Sequence, residues 1–227
     1  MPEDTNPGDP ANSTLATAIY TKLRGEILYG TLAAGAKINI RALCERFDVG
    51  FSPVREALNR LLNQNLLQQT DRRGFTVAPV SVEELEDITR ARCMINEAAL
   101  RASIKDGSIA WEEDILLSLH RLLRTPRDDG GPGPSQWTVA HKRFHSSLLS
   151  ACGSTWVLTY CDQLFEATER YRLLAIAAGG QRGDADEEHR AIMQATIDRK
   201  ADEAVQLLTR HFQKTQEQMR DLIGAQR

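Results

Sequence analysis

The sequence predicts a mainly α-helical chain of two modules: a small unit of three helices and a β-hairpin, then an all-helical antiparallel bundle. Three observations carry this. Apolar residues recur at helical spacing through most of the 227 residues, whereas strand-like alternation is confined to about 66–77. Pro79, followed by Ser81, punctuates the chain between the two patterns. The charge also divides there: residues 14–79 carry a balance of +4 and residues 80–227 a balance of −4, within a net charge of −3. A basic front on an acidic remainder is expected where only the front meets a polyanion.

With 41% hydrophobic and 26% charged residues, composition is that of an ordinary globular chain. No apolar run approaches the roughly 18–20 residues of a membrane span, so no membrane partner is expected. Met1-Pro2-Glu3-Asp4 has no basic stretch and no apolar run behind it, so no secretory signal is expected. Cys44, Cys93, Cys152 and Cys161 form no CxxC pattern and read as reduced, mostly buried thiols of a cytoplasmic protein.

Residues 1–13, with three prolines, read as a disordered tail, 14–79 as the first folded module and 80–227 as the second. Leu15, Ile19, Leu23 and Ile27 recur every four residues in the first helix, which Gly30 stops. A second helix over Arg41 to Phe47 turns Leu43 and Phe47 inward. The third starts at Ser52-Pro53, where the hydroxyl can cap free N–H groups and proline at the first helical position loses no hydrogen bond. It buries Val54, Leu58, Leu61 and Leu62. Two alternating segments around Asp71-Arg72-Arg73-Gly74 then predict a hairpin. From Val82 onward helices are expected at about 82–105, 111–124, 136–151, 155–178, 184–199 and 201–223, with an exposed loop over 125–135.

Helix, helix, turn, helix, hairpin is the order of a winged helix-turn-helix. In that arrangement Arg55, one turn into the third helix, could donate a bidentate pair to guanine or reach a phosphate. Arg41 stands where the second helix would cross the backbone, and Arg72 and Arg73 at the hairpin tip could reach a groove. Solvated surface arginines and a protein-binding winged helix remain open on spacing alone. Leu23 to Gly35, Ser52-Pro53-Val54-Arg55-Glu56-Ala57-Leu58-Asn59-Arg60-Leu61 and Arg73-Gly74-Phe75-Thr76-Val77 together resemble the GntR family of bacterial transcription factors. The resemblance implies that Arg41, Ser52, Arg55 and Gly74 approach DNA. It departs at Gly50 and Phe51, where the family often has Ser/Thr and Arg.

In the second module, His141 and His145 are four apart and share a helix face. His189 and His211 each lie eleven residues from Lys200, near which the chain should turn. Residues equidistant from such a turn sit at one height, because both helices rise about 1.5 Å per residue. Four imidazoles can thus converge inside a bundle, a donor set for a divalent transition metal: zinc first, with Ni, Co, Fe or Mn as alternatives. His120 falls outside the scheme.

Asp87 to Arg92, His141 to Leu149, Glu188 to Met193 and Ala204 to His211 resemble the FCD domain, the effector domain of FadR-type GntR regulators. The resemblance implies a homodimer on a pseudo-palindromic DNA operator, usually as a repressor, controlled by a small organic acid held beside the metal. His145, His189 and His211 match the family's metal ligands, while His141 replaces its usual aspartate. Arg92 matches a family arginine suited to a carboxylate, Asn96 stands where glutamate is common, and Arg172 is a further effector candidate, with a salt bridge as its alternative. A metal-dependent enzyme using Glu187 or Glu188 beside His189, and a regulator for which the metal itself is the signal, are the competing readings.

Overall fold

The computed structural model describes residues 10–70, 74–127, 135–177 and 185–224, in two compact units, Met1–Val80 and Ser81–Arg227. In the first, α1 (Pro10–Leu28) packs on α3 (Phe51–Asn63), and α2 (Ile40–Phe47) lies against α3. Ala16, Ile19, Leu23 and Ile27 face Val54, Ala57, Leu58 and Leu61 in one core, all of them buried. Each large aliphatic side chain so buried contributes about 1.5–3 kcal/mol.

Four details of this unit's helices differ from the sequence reading. The first helix starts at Pro10, so residues 10–13 are helical and not a tail; proline suits a first helical position because its missing N–H would have no partner there. Residues 1–9 lie outside the described residues. The buried stripe of α1 begins at Ala16, and Leu15 remains 45% exposed. The third helix is capped by Gly50, not Ser52: it starts at Phe51, and Ser52 and Pro53 occupy its first turn. Proline is still tolerated there because first-turn N–H groups have no intrahelical acceptor. Leu62 is half-buried rather than buried.

The hairpin consists of β2 (Leu67–Thr70) and β3 (Gly74–Val77), paired antiparallel with Gln69 opposite Phe75. A third strand, β1 (Lys37–Ile38), pairs with the other edge of β3, giving the order β1-β3-β2. Two residues are too few to show alternation, which hid β1 in the sequence. Asn39 links this strand to α2, its side chain accepting from the Ala42 N–H at 3.2 Å.

The second unit is α4 (Val82–Asp106), α5 (Ile109–Arg124), α6 (Gln136–Leu149), α7 (Thr155–Ala177), α8 (Asp186–Ile197) and α9 (Ala201–Gly224). Ser81, Ser108 and Ser135 cap α4, α5 and α6 through their hydroxyls. Helix α4 packs on α7 and α9, α5 on α6 and α8, and α8 forms a hairpin with α9. Leu100, Ile115, Phe144, Leu148, Ile192 and Phe212 belong to the shared core. The α8–α9 turn contains Arg199 at φ 59°, whose guanidinium bonds the Gly107 carbonyl and lies 5.2 Å over Trp111. That anchor ties the turn to the start of α5. No described helix is long and apolar enough to cross a membrane.

Candidate metal centre and DNA-reading surface

The inward face of α6 runs from Leu148 and Phe144 to His145 and His141, replacing apolar packing by imidazoles. His189 enters from the first turn of α8 and His211 from the middle of α9. All four are buried, and their candidate ligand nitrogens lie within 4.8 Å of one another. The His189 and His211 rings stand 4.8 Å apart, as equal height about the α8–α9 turn requires. His141 Nε2 and His145 Nε2 approach to 3.0 Å. A tetrahedral ion with Zn–N bonds of about 2.0–2.1 Å sets its ligand nitrogens about 3.3 Å apart, so small ring movements would complete coordination. Four neutral, buried nitrogen donors fit a divalent transition ion and suit Mg²⁺ or Ca²⁺ poorly.

The rings are held from behind. Trp137 stacks on His141 with centroids 4.5 Å apart and planes at 16°. Glu188 bonds His211 Nδ1 at 2.7 Å and also pairs with Lys214. Its carboxyl is held down to about 2, by the His211 hydrogen bond foremost, against an opposing effect of partial burial, and by Lys214. Glu169 lies 4.0 Å from His141 Nδ1. Neither Trp137 nor Glu169 was singled out by sequence; an aromatic four residues before His141 was the only signal for the first.

Around this cluster Phe165 lies 5.6 Å from His141 and Phe212 5.8 Å from His145. The same two rings flank buried Arg92, whose guanidinium carbon is 3.9 Å from the Phe212 centroid and 5.1 Å from Phe165. Asn96 is buried one turn on, its amide donating to the Arg92 carbonyl at 2.9 Å. Arg172 is engaged differently: it pairs with Glu169 at 2.8 Å and donates to Thr138 at 2.7 Å. The pair lies within α7, with the interhelical bond going to Thr138 on α6. His120 is exposed, away from the cluster. All four cysteines are free; Cys161 is buried and pushed up to about 11 by desolvation, and the other three are half-buried.

In the first unit Ser52 and Arg55 are exposed in the first turns of α3, beside Phe51, which is 55% exposed. Among the described residues Arg55 makes no ion pair. Arg41 is exposed at the start of α2, and Gly74 opens β3. Arg72 and Arg73 lie outside the described residues.

A winged helix-turn-helix joined to a helical bundle with a polar buried centre defines a class of ligand-responsive DNA-binding proteins. Residues 15–77 match the model for "Bacterial regulatory proteins, gntR family", and residues 87–214 match the FCD domain. The chain belongs to the GntR family of transcriptional regulators and carries an FCD effector-binding domain. It is 35% identical over 217 residues to the "Uncharacterized HTH-type transcriptional regulator BphR" of Paraburkholderia xenovorans (strain LB400), covering 93% of this chain and 88% of that one. Identity to the "HTH-type transcriptional repressor GlaR" of Escherichia coli (strain K12) is 27%, over 85% and 90% of the two chains. The solved fold of E. coli McbR/YncC is similar at TM-score 0.68 and 19% identity, over 88% and 94%. That of a putative GntR regulator from Rhodococcus sp. RHA1 is similar at TM-score 0.70 and 20% identity, over 94% and 100%. Membership of this family decides against the enzyme reading.

Proposed function

We propose that this chain is a cytoplasmic, FadR-type homodimeric repressor whose grip on a pseudo-palindromic operator is set by a small organic acid bound beside a divalent metal, zinc first, in the second unit. The observation that carries the reading is the convergence of His141, His145, His189 and His211, with Arg92 sharing their aromatic wall. A divalent ion there would supply net positive charge to an anionic group. Arg92 would then hold the other end of a carboxylate with its planar fork, and Asn96 would stiffen that turn of α4 through its bond to the Arg92 carbonyl. Arg172 acts indirectly in this reading, fixing Glu169 behind His141. Arg41, Ser52, Arg55, Arg73 and Gly74 form the DNA-contacting set, and two-fold symmetry follows because one winged helix reads only half a site.

The route from pocket to DNA runs through one turn of α7. Glu169 stands behind His141, and Tyr171, two residues on, is fully buried. The Ser81 N–H donates to the Tyr171 hydroxyl at 3.4 Å, and that hydroxyl donates to the Glu84 carboxylate. Burial and the Glu84 carboxylate push the phenol above its ordinary range, so the hydroxyl keeps its hydrogen. Ser81 and Glu84 begin the second unit, directly after the winged helix. An effector binding better to the arrangement of this turn that is incompatible with the operator weakens DNA binding by the same coupling free energy, typically about 1–3 kcal/mol.

The test is to select an operator duplex from a random library. Its affinity is then measured at fixed salt with zinc-loaded and chelator-treated protein across small mono- and dicarboxylates. At least one acid should shift affinity by about 5–150-fold with metal and not without it. A response to metal alone, with every acid ignored, would make the metal the signal. Tyr171→Phe should leave effector-free affinity within about twofold and shrink the effector-dependent shift by about fivefold, the value of one hydrogen bond of about 1 kcal/mol.

A further inference from the structure

We propose that Glu188 is the positioning residue of this centre, orienting His211 by accepting its Nδ1 hydrogen so that Nε2 is left as the ligating nitrogen. The proposal rests on the metal reading above. Its geometry does not: the Glu188 carboxylate oxygen lies 2.7 Å from His211 Nδ1. A carboxylate has only acceptor sites to offer, so the hydrogen in that contact belongs to the imidazole. With Nδ1 committed outward, the nitrogen that His211 can turn toward the other three histidines is Nε2. The approach of the His141 and His145 Nε2 atoms marks the same convergence point from α6.

Glu188 is well held for this task. It sits on the first turn of α8, twelve residues before Lys200, at nearly the same height as His211 on α9. Lys214, one turn beyond His211, pairs with its other oxygen and restrains the carboxylate on both sides. His141 has a weaker counterpart in Glu169, which is 4.0 Å away and itself paired with Arg172, whose guanidinium also donates to Thr138. The two glutamates bring to the outer shell the negative charge that four neutral imidazoles lack. That charge would partly balance a buried divalent ion. Outer-shell carboxylates of this kind fix the tautomer and raise imidazole basicity, and their loss costs about 10–100-fold in metal affinity.

The experiment uses the full chain and zinc ion. Competition with a chromophoric chelator measures zinc affinity, and long-range proton–nitrogen NMR correlations on metal-free protein read the His211 tautomer. Wild type should carry the hydrogen on Nδ1. Glu188→Ala should mix the tautomers and weaken zinc about 10–100-fold. Glu188→Gln, whose amide oxygen still accepts but carries no charge, should restore the tautomer and recover part of the affinity, which a merely structural role would not require. Glu188→Ala binding zinc as tightly as wild type, or a wild-type His211 protonated on Nε2, would overturn the proposal. If wild type takes up no zinc, the metal reading falls, and the tautomer of the metal-free protein still decides the part played by Glu188.

Discussion

Arg55→Ala is expected to weaken specific operator binding by at least about 30-fold while far-ultraviolet circular dichroism and thermal midpoint stay close to wild type. The expectation follows from where Arg55 stands. Helix α3 spends Val54, Ala57, Leu58 and Leu61 on the core of the first unit, and Arg55 points away from them, exposed. Removing it creates no cavity and breaks no ion pair among the described residues, so surface-level stability effects of about 0.5 kcal/mol or less apply. On DNA the same side chain would supply a bidentate guanine contact worth about 1–3 kcal/mol. A symmetric dimer loses it twice, so the expected loss is about 2–6 kcal/mol, or roughly 30-fold to more than 10⁴-fold. Gel-shift titration at fixed salt measures this. Arg55→Lys should not rescue it, because an ammonium cannot reproduce the fork. Unchanged affinity would remove α3 from the reading surface.

The second large effect concerns the centre itself. Replacing His145 and His189 together with alanine is expected to abolish stoichiometric metal, measured by elemental analysis after dialysis against a weak chelator. His145 contributes from α6 and His189 from α8, so the double change leaves His141 and His211 on opposite sides of the cluster, their centroids 6.4 Å apart. Two separated imidazoles retain little of a tetrahedral site's affinity. Some stability is lost too, since both rings pack against Phe144. Circular dichroism on the variant therefore accompanies the metal assay. A folded variant that keeps one metal per chain would place the site elsewhere.

Much of this architecture is legible in the amino-acid sequence. Helical spacing locates the six helices described in the second unit, because long amphipathic or buried helices repeat their pattern many times. The histidine geometry was legible for a related reason: separation from Lys200 is a ruler when both helices rise equally per residue. Ends and short pieces were harder. Ser52-Pro53 carries a strong start signal, yet Gly50 takes the cap, since a helix can begin earlier wherever backbone N–H groups stay solvated. Lys37–Ile38 pairs with β3 through backbone bonds that leave little trace in side-chain type. Partners across helices were the least visible. The sequence offers Glu188 as a catalytic acid beside His189, whereas it bonds His211, 23 residues on. Arg172 was weighed against a carboxylate ligand and is engaged by Glu169 and Thr138. Such pairings depend on helix rotation and rotamer, which periodicity specifies only to within a face.

X-ray absorption at the metal edge of the zinc-loaded full chain tests the central claim most directly, because it reads the donor atoms themselves. The account predicts a first shell of nitrogen at about 2.0–2.1 Å, with outer-shell scattering from three or four imidazoles that disappears in the His145/His189 double variant. A shell containing sulfur at about 2.3 Å, or light donors with no imidazole scattering, would contradict it.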